Sequence, residues 1–191
     1  ADPYGKTKRM SEEIMKDAAA ADPELRAVSL RYFNPVGAHQ SGLIGEDPVG
    51  IPNNLMPILA RVAIGSLPGV SIYGDDYATA DGTGLRDYIH VTDLAAGHVA
   101  SLERANAGYS IFNLGTGIPV SVRELIAAFE RASGREIPST LAPRRAGDVA
   151  ASYADPAKAK RELDWSAELT IEQACADYWH WQESNPAGYR G

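Results

Sequence analysis

One cysteine, Cys175, stands in 191 residues, so no disulfide can form within the chain, and that fits a reducing cytoplasm. Its surroundings, Glu172-Gln173-Ala174-Cys175-Ala176-Asp177-Tyr178-Trp179, read as a helix, with the thiol a buried bystander. No stretch approaches the ~18 apolar residues of a membrane span. The opening Ala1-Asp2-Pro3-Tyr4-Gly5-Lys6 lacks the apolar stretch of a secretion signal. Positive charge is scarce: 18 Lys and Arg against 25 Asp and Glu give a formal net charge of -7. An acidic chain repels polyphosphate at long range, which argues against a nucleic-acid partner. A small anionic ligand needs only two or three well-placed arginines.

Several chemical signatures are missing as well. A dinucleotide-binding turn needs glycines at fixed offsets between a strand and a helix. Gly82-Thr83-Gly84 runs into Leu85-Arg86-Asp87, and Gly115-Thr116-Gly117 into Ile118-Pro119-Val120, so each lacks the last glycine. There is no P-loop and no Gly-x-Ser-x-Gly elbow. His39, His90, His98 and His180 show no metal-ligand spacing and no second cysteine joins them, so no metal is expected.

What is present is globular: 45% hydrophobic and 23% charged residues, in a length suited to one domain or slightly more. The pattern predicts a helix over 3–20, with Asp2 as its cap and Pro3 in the first turn. A strand is expected over 26–33 and a Gly/Pro-rich loop over 37–52. Further elements are a helix over 54–64, a strand over 70–73, a loop over 75–85 and a helix over 92–104 with Thr92 or Asp93 near its start. A strand over 110–114 then leads into the Gly115-Thr116-Gly117 turn. Ser121 and Glu124 have capping-box spacing for a helix over 121–133, stopped by Gly134. Asp155 caps a short helix that ends near Leu163, and Thr170 opens a last one to about Glu183. This is an α/β chain with few, short strands. Its first helix and strand read as the tail of a larger sheet, so the chain is expected to be part of a longer protein.

Tyr4 and Lys8 stand four apart, on one face of the expected helix. An ammonium beside a phenol favours the phenolate, and such a pair can remove a hydroxyl proton during hydride transfer. An ordinary surface pair has the same spacing, so the context decides. Tyr-x-x-x-Lys is the catalytic pair of the short-chain dehydrogenase/reductases. Here it is followed by Arg31-Tyr32-Phe33-Asn34-Pro35-Val36-Gly37-Ala38 and Ile44-Gly45-Glu46-Asp47-Pro48. Next come Asn53-Asn54-Leu55-Met56-Pro57, Tyr73-Gly74-Asp75-Asp76-Tyr77 and Arg86-Asp87-Tyr88-Ile89-His90-Val91. Asn113-Leu114-Gly115-Thr116-Gly117, Pro143-Arg144-Arg145-Ala146-Gly147-Asp148 and Trp179-His180-Trp181 complete the series. In this order the chain resembles the UDP-glucose 4-epimerase family, in the extended branch of the short-chain dehydrogenase/reductases.

The resemblance implies the C-terminal part of an NAD-binding Rossmann-type fold with a smaller mixed α/β substrate-binding domain. Residues 1–35 would be the Rossmann tail, and 36–191 mainly the nucleotide-sugar domain, with returns to the sheet. NAD would accept hydride from carbon 4 of a UDP-hexose while Tyr4 takes the hydroxyl proton. The resulting 4-keto sugar would turn over and be reduced on its other face. Lys8 would assist Tyr4 and hold the nicotinamide ribose, with Tyr32, Phe33 and Pro35 on the nicotinamide side and Asn34 reaching the substrate. Asn54 and the Leu55 amide would meet the diphosphate, Tyr73 would lie by the uridine, Arg86 and Arg145 would neutralise phosphate, and Asp148 would accept from the ribose. An N-cap role for Asn54 and an ordinary salt bridge for each arginine are the simpler alternatives. His90 is expected to be a satisfied core residue and Gly115-Thr116-Gly117 a tight turn.

Alignment on Asp148 puts Ser152 at a position where a tyrosine narrows the sugar pocket, which implies room for an N-acetyl group. A one-residue shift would put Tyr153 there. The NAD turn is not in this chain, so the chain alone is expected to be inactive. A dehydratase of the same fold and a non-catalytic UDP-sugar-binding module are the other readings. An uncovered first helix and strand predict self-association or mobility of the first ~35 residues, and a homodimer is an open expectation.

Overall fold

The computed structural model describes residues 3–190. The expected Asp2 cap lies outside the described residues. Helix α1 (Pro3–Ala21) leads to β1 (Arg26–Tyr32) and the short β2 (Asn34–Val36). After a long loop come α2 (Leu55–Ala63), β3 (Val70–Tyr73), β4 (Leu85–His90) and α3 (Val91–Arg104). Then follow β5 (Gly108–Leu114), β6 (Pro119–Ser121), α4 (Val122–Ser133), β7 (Ser139–Ala142) and β8 (Ala151–Ser152). The chain closes with α5 (Ala157–Leu163), α6 (Ile171–Ser184) and a 3-10 turn at Gly188–Arg190.

The strands form three small sheets. β1 and β5 pair in parallel, from Arg26 opposite Gly108 to Tyr32 opposite Leu114. β4 lies between β2 (parallel) and β6 (antiparallel), and β8 adds to it in parallel. β3 pairs with β7 in parallel. Among the described residues β1 has β5 as its sole strand partner.

Two apolar clusters hold these layers together. In one, α2, α4 and α6 bury Leu59, Leu125, Phe129 and Tyr178 against Val70 and Ile72 of β3. Phe129 packs edge-on against Tyr178 and Trp179, with ring centres 6.3 and 6.2 Å apart, a geometry aromatic quadrupoles favour. Cys175 is fully buried in this cluster, and burial pushes its thiol up to about 12. In the other cluster Ile89, Leu94, Phe112, Leu114, Leu163 and Trp165 join β4 and β5 to α3 and α5. α1 stands apart: only Ala19 is buried, while Tyr4, Met10 and Ile14 are 71%, 62% and 68% exposed.

The helix signals act as the sequence indicates. Ser121 accepts from the Glu124 N–H while Glu124 reaches back to the Ser121 N–H, and Gly134 ends α4 in the left-handed region at φ 65°. Thr170 and Gln173 make the same reciprocal pair on α6. At α5 the cap position is Pro156, with no side-chain cap, rather than the expected Asp155, which accepts from the Ala157 N–H one residue further out.

Other expectations need correction. α3 starts one residue earlier than expected, at Val91, with Thr92 and Asp93 in its first turn, and its cap is His90, whose Nδ1 accepts from the Thr92 N–H. That hydrogen bond leaves the proton on Nε2, which faces Asp177 of α6 at 3.2 Å, so His90 is a satisfied core residue. β1 ends one residue early because Asn34 starts a new pairing with Tyr88. β5 starts earlier than expected, at Gly108, because the Gly108 N–H bonds the Leu25 carbonyl. β4 was hidden by Arg86 and Asp87, two charges in a strand whose last four residues are all buried.

Candidate functional site

Asp87 explains how a charge can sit inside β4 and why the Gly115-Thr116-Gly117 turn exists. Its carboxylate is 0% exposed. It accepts from the Thr116 N–H and hydroxyl at 2.9 and 2.8 Å, from the Gly117 N–H at 2.9 Å and from the Ala154 N–H at 3.0 Å. Successive N–H groups in such a turn make an anion-binding concavity. Here the fold's own carboxylate fills it, so the turn is structural and ties β4 to the segment after β8.

That tie brings the 143–152 segment across β4. Arg86 donates to the Leu85 and Val149 carbonyls and lies 3.8 Å from the Asp148 carboxylate, with both side chains partly exposed. Arg86 pairs with Ser152 across the β4–β8 register. Ser152 is exposed, and Tyr153, just beyond the strand, is 53% exposed.

The β3 end carries a second cluster. The guanidinium of Arg145 lies 3.8 Å from the centre of the Tyr73 ring, and that of Arg144 lies 4.0 Å from the centre of Tyr77. Arg144 also donates to the Asp76 carboxylate at 2.6 Å, which holds that carboxyl below its ordinary value. Arg144, Asp76 and Tyr77 stand in the motifs quoted above but were given no role there. The Arg-Arg dipeptide and the paired aspartates are the signal that could have found them.

Between β2, the 37–54 loop and the start of α3 lies a cavity of about 440 Å³, lined by Pro35, Val36, Glu46, Asn54, Val91 and Thr92 among others. The loop forming its wall is pinned at many points. Arg61 of α2 donates to the Gly50 and Pro48 carbonyls. The Tyr189 hydroxyl accepts from the Gly45 N–H at 2.8 Å and donates to its carbonyl at 3.1 Å, and the Asp47 carboxylate accepts from the Tyr189 N–H. Gly45 lies against the Trp181 indole so closely that a Cβ would come within 2.2 Å of Cδ2. Glu46 is half-buried: burial pushes its carboxyl up, and the nearby Asn54 side chain opposes the shift. Asn54 occupies the N-cap position of α2 yet makes no side-chain cap, so the simple capping role is not the one it has.

Tyr4 and Lys8 adjoin on α1, with the Lys8 Nζ 5.0 Å from the centre of the Tyr4 ring. They stand apart from the residues above. Lys8 lines a separate cavity of about 610 Å³ with Glu12, Arg31 and Tyr109, and Tyr4 lines neither cavity. Tyr32 at the end of β1 is bonded through its hydroxyl to His98 Nε2 of α3 at 2.6 Å. Phe33 is half-buried between β1 and β2, and Asn34 opens β2 beside Pro35. Among the described residues no His, Cys, Asp and Glu cluster could hold a metal, and no helix is long and apolar enough to cross a membrane.

Fold and site together define an α/β chain with a helical tyrosine–lysine pair ahead of a parallel strand pair. Residues 1–115 match the NAD dependent epimerase/dehydratase family. The chain belongs to that family. It is 57% identical over 190 residues to a UDP-glucose 4-epimerase of Bacillus subtilis, covering 98% of this chain and 56% of that protein. Its fold superposes with a TM-score of 0.94 on the UDP-glucose 4-epimerase of Bifidobacterium longum in complex with NAD+ and UDP. There the identity is 56%, over 98% of this chain and 56% of the other. A UDP-Glc/GlcNAc 4-epimerase from Campylobacter jejuni superposes at 0.76 with 35% identity, over 96% of this chain and 56% of the other. The chain thus spans about 56% of the length of these relatives.

Proposed function

We propose that the chain is the nucleotide-sugar-binding part of a UDP-glucose 4-epimerase, an isomerase that interconverts UDP-glucose and UDP-galactose through a transient 4-keto sugar. The observation that carries this reading is the meeting of Arg86 and Asp148 at 3.8 Å, beside Ser152. A guanidinium next to an acceptor carboxylate suits a diphosphate joined to a ribose: the first neutralises the anion, the second takes a hydroxyl proton in a hydrogen bond. Arg145 and Tyr73 add a second cation and an aromatic face for the uridine. Asn54 and the Leu55 amide would hold the diphosphate, and Asn34 would reach the sugar.

NAD suits the residues at the other side of the site. Lys8 offers an ammonium donor beside the Tyr4 phenol, and Pro35 presents an apolar wall to the cavity. Lys8, Tyr32, Phe33 and Pro35 would hold its nicotinamide end, and Tyr4 would touch it. When bound, NAD supplies hydride acceptance and return at carbon 4. Tyr4 then takes the proton of the 4-hydroxyl and gives it back, while Lys8 keeps the phenol oriented. The chain has a single buried thiol and suits the cytoplasm; its partners are a UDP-hexose and, through exposed Met10 and Ile14 of α1, a second copy of the protein.

Calorimetric titration of UDP into the chain, with and without NAD, tests the reading. Binding of UDP that is lost in Arg86→Ala supports it. The same affinity in Arg86→Ala would take Arg86 out of the site. Epimerisation is expected only from the full-length protein, and turnover by the purified chain with added NAD would contradict that.

A further inference from the structure

Two segments leave the β3–β7 pair side by side, with Tyr73 opposite Ala142 and the Gly74 N–H on the Ala142 carbonyl at 2.8 Å. Arg144 crosses from one segment to the other. Its Nε donates to the Asp76 carboxylate and its Nη2 to the Asp76 carbonyl, both at 2.6 Å, and its guanidinium lies 4.0 Å from the centre of the Tyr77 ring. The crossing passes so near Gly74 that a Cβ there would come within 2.7 Å of Arg144 Cγ and 2.8 Å of Tyr77 Cε2.

The loop that follows is held at both ends. Arg144 fastens its start. At its far end Arg86 donates to the Val149 carbonyl at 3.0 Å, and the Leu85 N–H donates to the Ala150 carbonyl at 2.8 Å. Between these ties lie Arg145 and Asp148, joined by the Asp148 N–H on the Arg145 carbonyl at 3.2 Å. The two neighbouring arginines go to different tyrosines, Arg144 to Tyr77 and Arg145 to Tyr73. Two nitrogens of Arg144 are committed to Asp76, whereas the Arg145 guanidinium meets an aromatic face. A cation–π contact at an exposed site is weak, so the ring alone does not fix Arg145. An exposed ion pair adds little to stability, so the tie of Arg144 to Asp76 matters chiefly for where it sends the chain.

We infer that Arg144 is a positioning residue of the nucleotide site: fastened to Asp76 and Tyr77, it fixes the start of the 144–149 loop so that Arg145 stays beside Tyr73 and presents its guanidinium to the diphosphate. The inference rests on the reading of Arg145 as a phosphate ligand. Arg144 itself does not meet the nucleotide. It follows that Asp76, although an acid near the anion site, helps the anion to bind. Charge alone predicts the reverse, since a carboxylate repels a phosphate. The two accounts therefore give the effect of Asp76 on affinity opposite signs.

The test is calorimetric titration of UDP into the full-length protein: native, R144A, D76A, D76N, R145A and the double variants R144A/R145A and D76A/R145A. R144A and D76A are each expected to weaken UDP about three- to tenfold, in the range of couplings between residues in contact. D76N keeps an acceptor oxygen for the Arg144 Nε and should bind UDP close to the native protein. Each double variant should bind UDP no more weakly than R145A, because nothing is left to position. In protein with 15N-labelled arginine, the Arg145 Nε–H signal should move in R144A and D76A as the side chain leaves the Tyr73 ring, and should hold in D76N. Weaker UDP binding in R144A together with tighter binding in D76A would make Arg144 a cation acting by its charge and overturn the inference. Native affinity in both R144A and D76A, or losses that multiply in the double variants, would overturn it too, and each of these results leaves the nucleotide reading standing. A native full-length protein that binds no UDP would overturn both. Truncating Arg144 also uncovers Tyr77, so if R144A melts well below the native protein, D76A decides alone, at a side chain 71% exposed.

Discussion

Arg145 rests its guanidinium 3.8 Å from the centre of the Tyr73 ring, stacked on an aromatic face that is itself 39% exposed. A cation–π contact at an exposed site contributes about 0.5–1 kcal/mol, enough to keep the side chain near the ring without locking it. Arg145→Ala is expected to weaken UDP about tenfold while the melting temperature moves by no more than about 4 °C, since the lost contact is worth about 0.5–1 kcal/mol. Arg145→Lys should recover only part of the affinity, because an ammonium neither stacks nor forks. Calorimetry with thermal melting checks both. Full UDP affinity in Arg145→Ala would take the residue out of the site.

Asp87→Asn is a test of stability. The side chain is fully buried and its two oxygens face donors only. An amide in that place must set one NH2 against an N–H. The expected cost is about 2–4 kcal/mol, from a lost charged acceptor and unmet buried donors. Urea denaturation measures it. A change under about 1 kcal/mol would mean that the turn tolerates a neutral filling.

The loop wall around Gly45 should be equally sensitive. Gly45→Ala must move the Trp181 indole, because the new methyl would come within 2.2 Å of it. A loss of about 2 kcal/mol or more, with a changed tryptophan emission, is the expected result. Tyr189→Phe removes the hydroxyl that serves both polar groups of Gly45 and should cost about 1 kcal/mol. Denaturant melts of the two variants, read by fluorescence, distinguish overpacking from the loss of a tie.

Three buried acids, Cys175, Tyr88 and Tyr178, set the alkaline limit; burial pushes the Tyr178 phenol well above its ordinary value. Burial pushes the Cys175 thiol from 9.0 up to about 12 and the Tyr88 phenol from 10.0 up to about 12. The folded chain keeps these protons where the unfolded chain has released them. Their contribution is therefore complete below about pH 9 and is lost as pH rises towards 12, at about 1.4 kcal/mol per pH unit for each group within its window. Stability measured from pH 7 to 11 should fall from about pH 9, and Cys175→Ala should delay the onset to about pH 10. An onset unaffected by that substitution would show that the thiol stays neutral in both states. Thiol reagents at pH 8 should label Cys175 only after unfolding.

Sugar tolerance is the last test. Ser152 is small, exposed and paired to Arg86. In the full-length protein Ser152→Tyr should reduce turnover of UDP-N-acetylglucosamine at least tenfold and leave UDP-glucose within about threefold, since steric exclusion acts only on the larger substrate. Equal turnover of both substrates before and after the change would exclude Ser152 as the gate.

The helices could be read from the sequence because their signals are local. The Ser121–Glu124 box, Gly134 and Thr170 each lie at or next to an element's end. The strands were harder. β2, β6, β7 and β8 are two to four residues long, too short to show a period of two. β4 carries Arg86 and Asp87, and the groups that satisfy Asp87 come from Thr116, Gly117 and Ala154, far along the chain. The site shows the same division. The motifs supplied its residues, but the stacking of Arg145 on Tyr73 and the approach of Arg86 to Asp148 come from the β3–β7 and β4–β8 pairings. Asn54 shows a limit of a local rule: the capping position was legible, yet the side chain makes no cap.

The tie between the cavity wall and Tyr189 also orders events on the ribosome. Gly45 and Asp47 are held by Tyr189, which follows them by 144 and 142 residues. At about 5–20 residues per second, on the order of ten seconds pass between synthesis of the wall and synthesis of its fastener. Throughout that interval the Glu46 loop has only part of its support. The wall of the cavity is thus completed only once a residue far along the chain has been made.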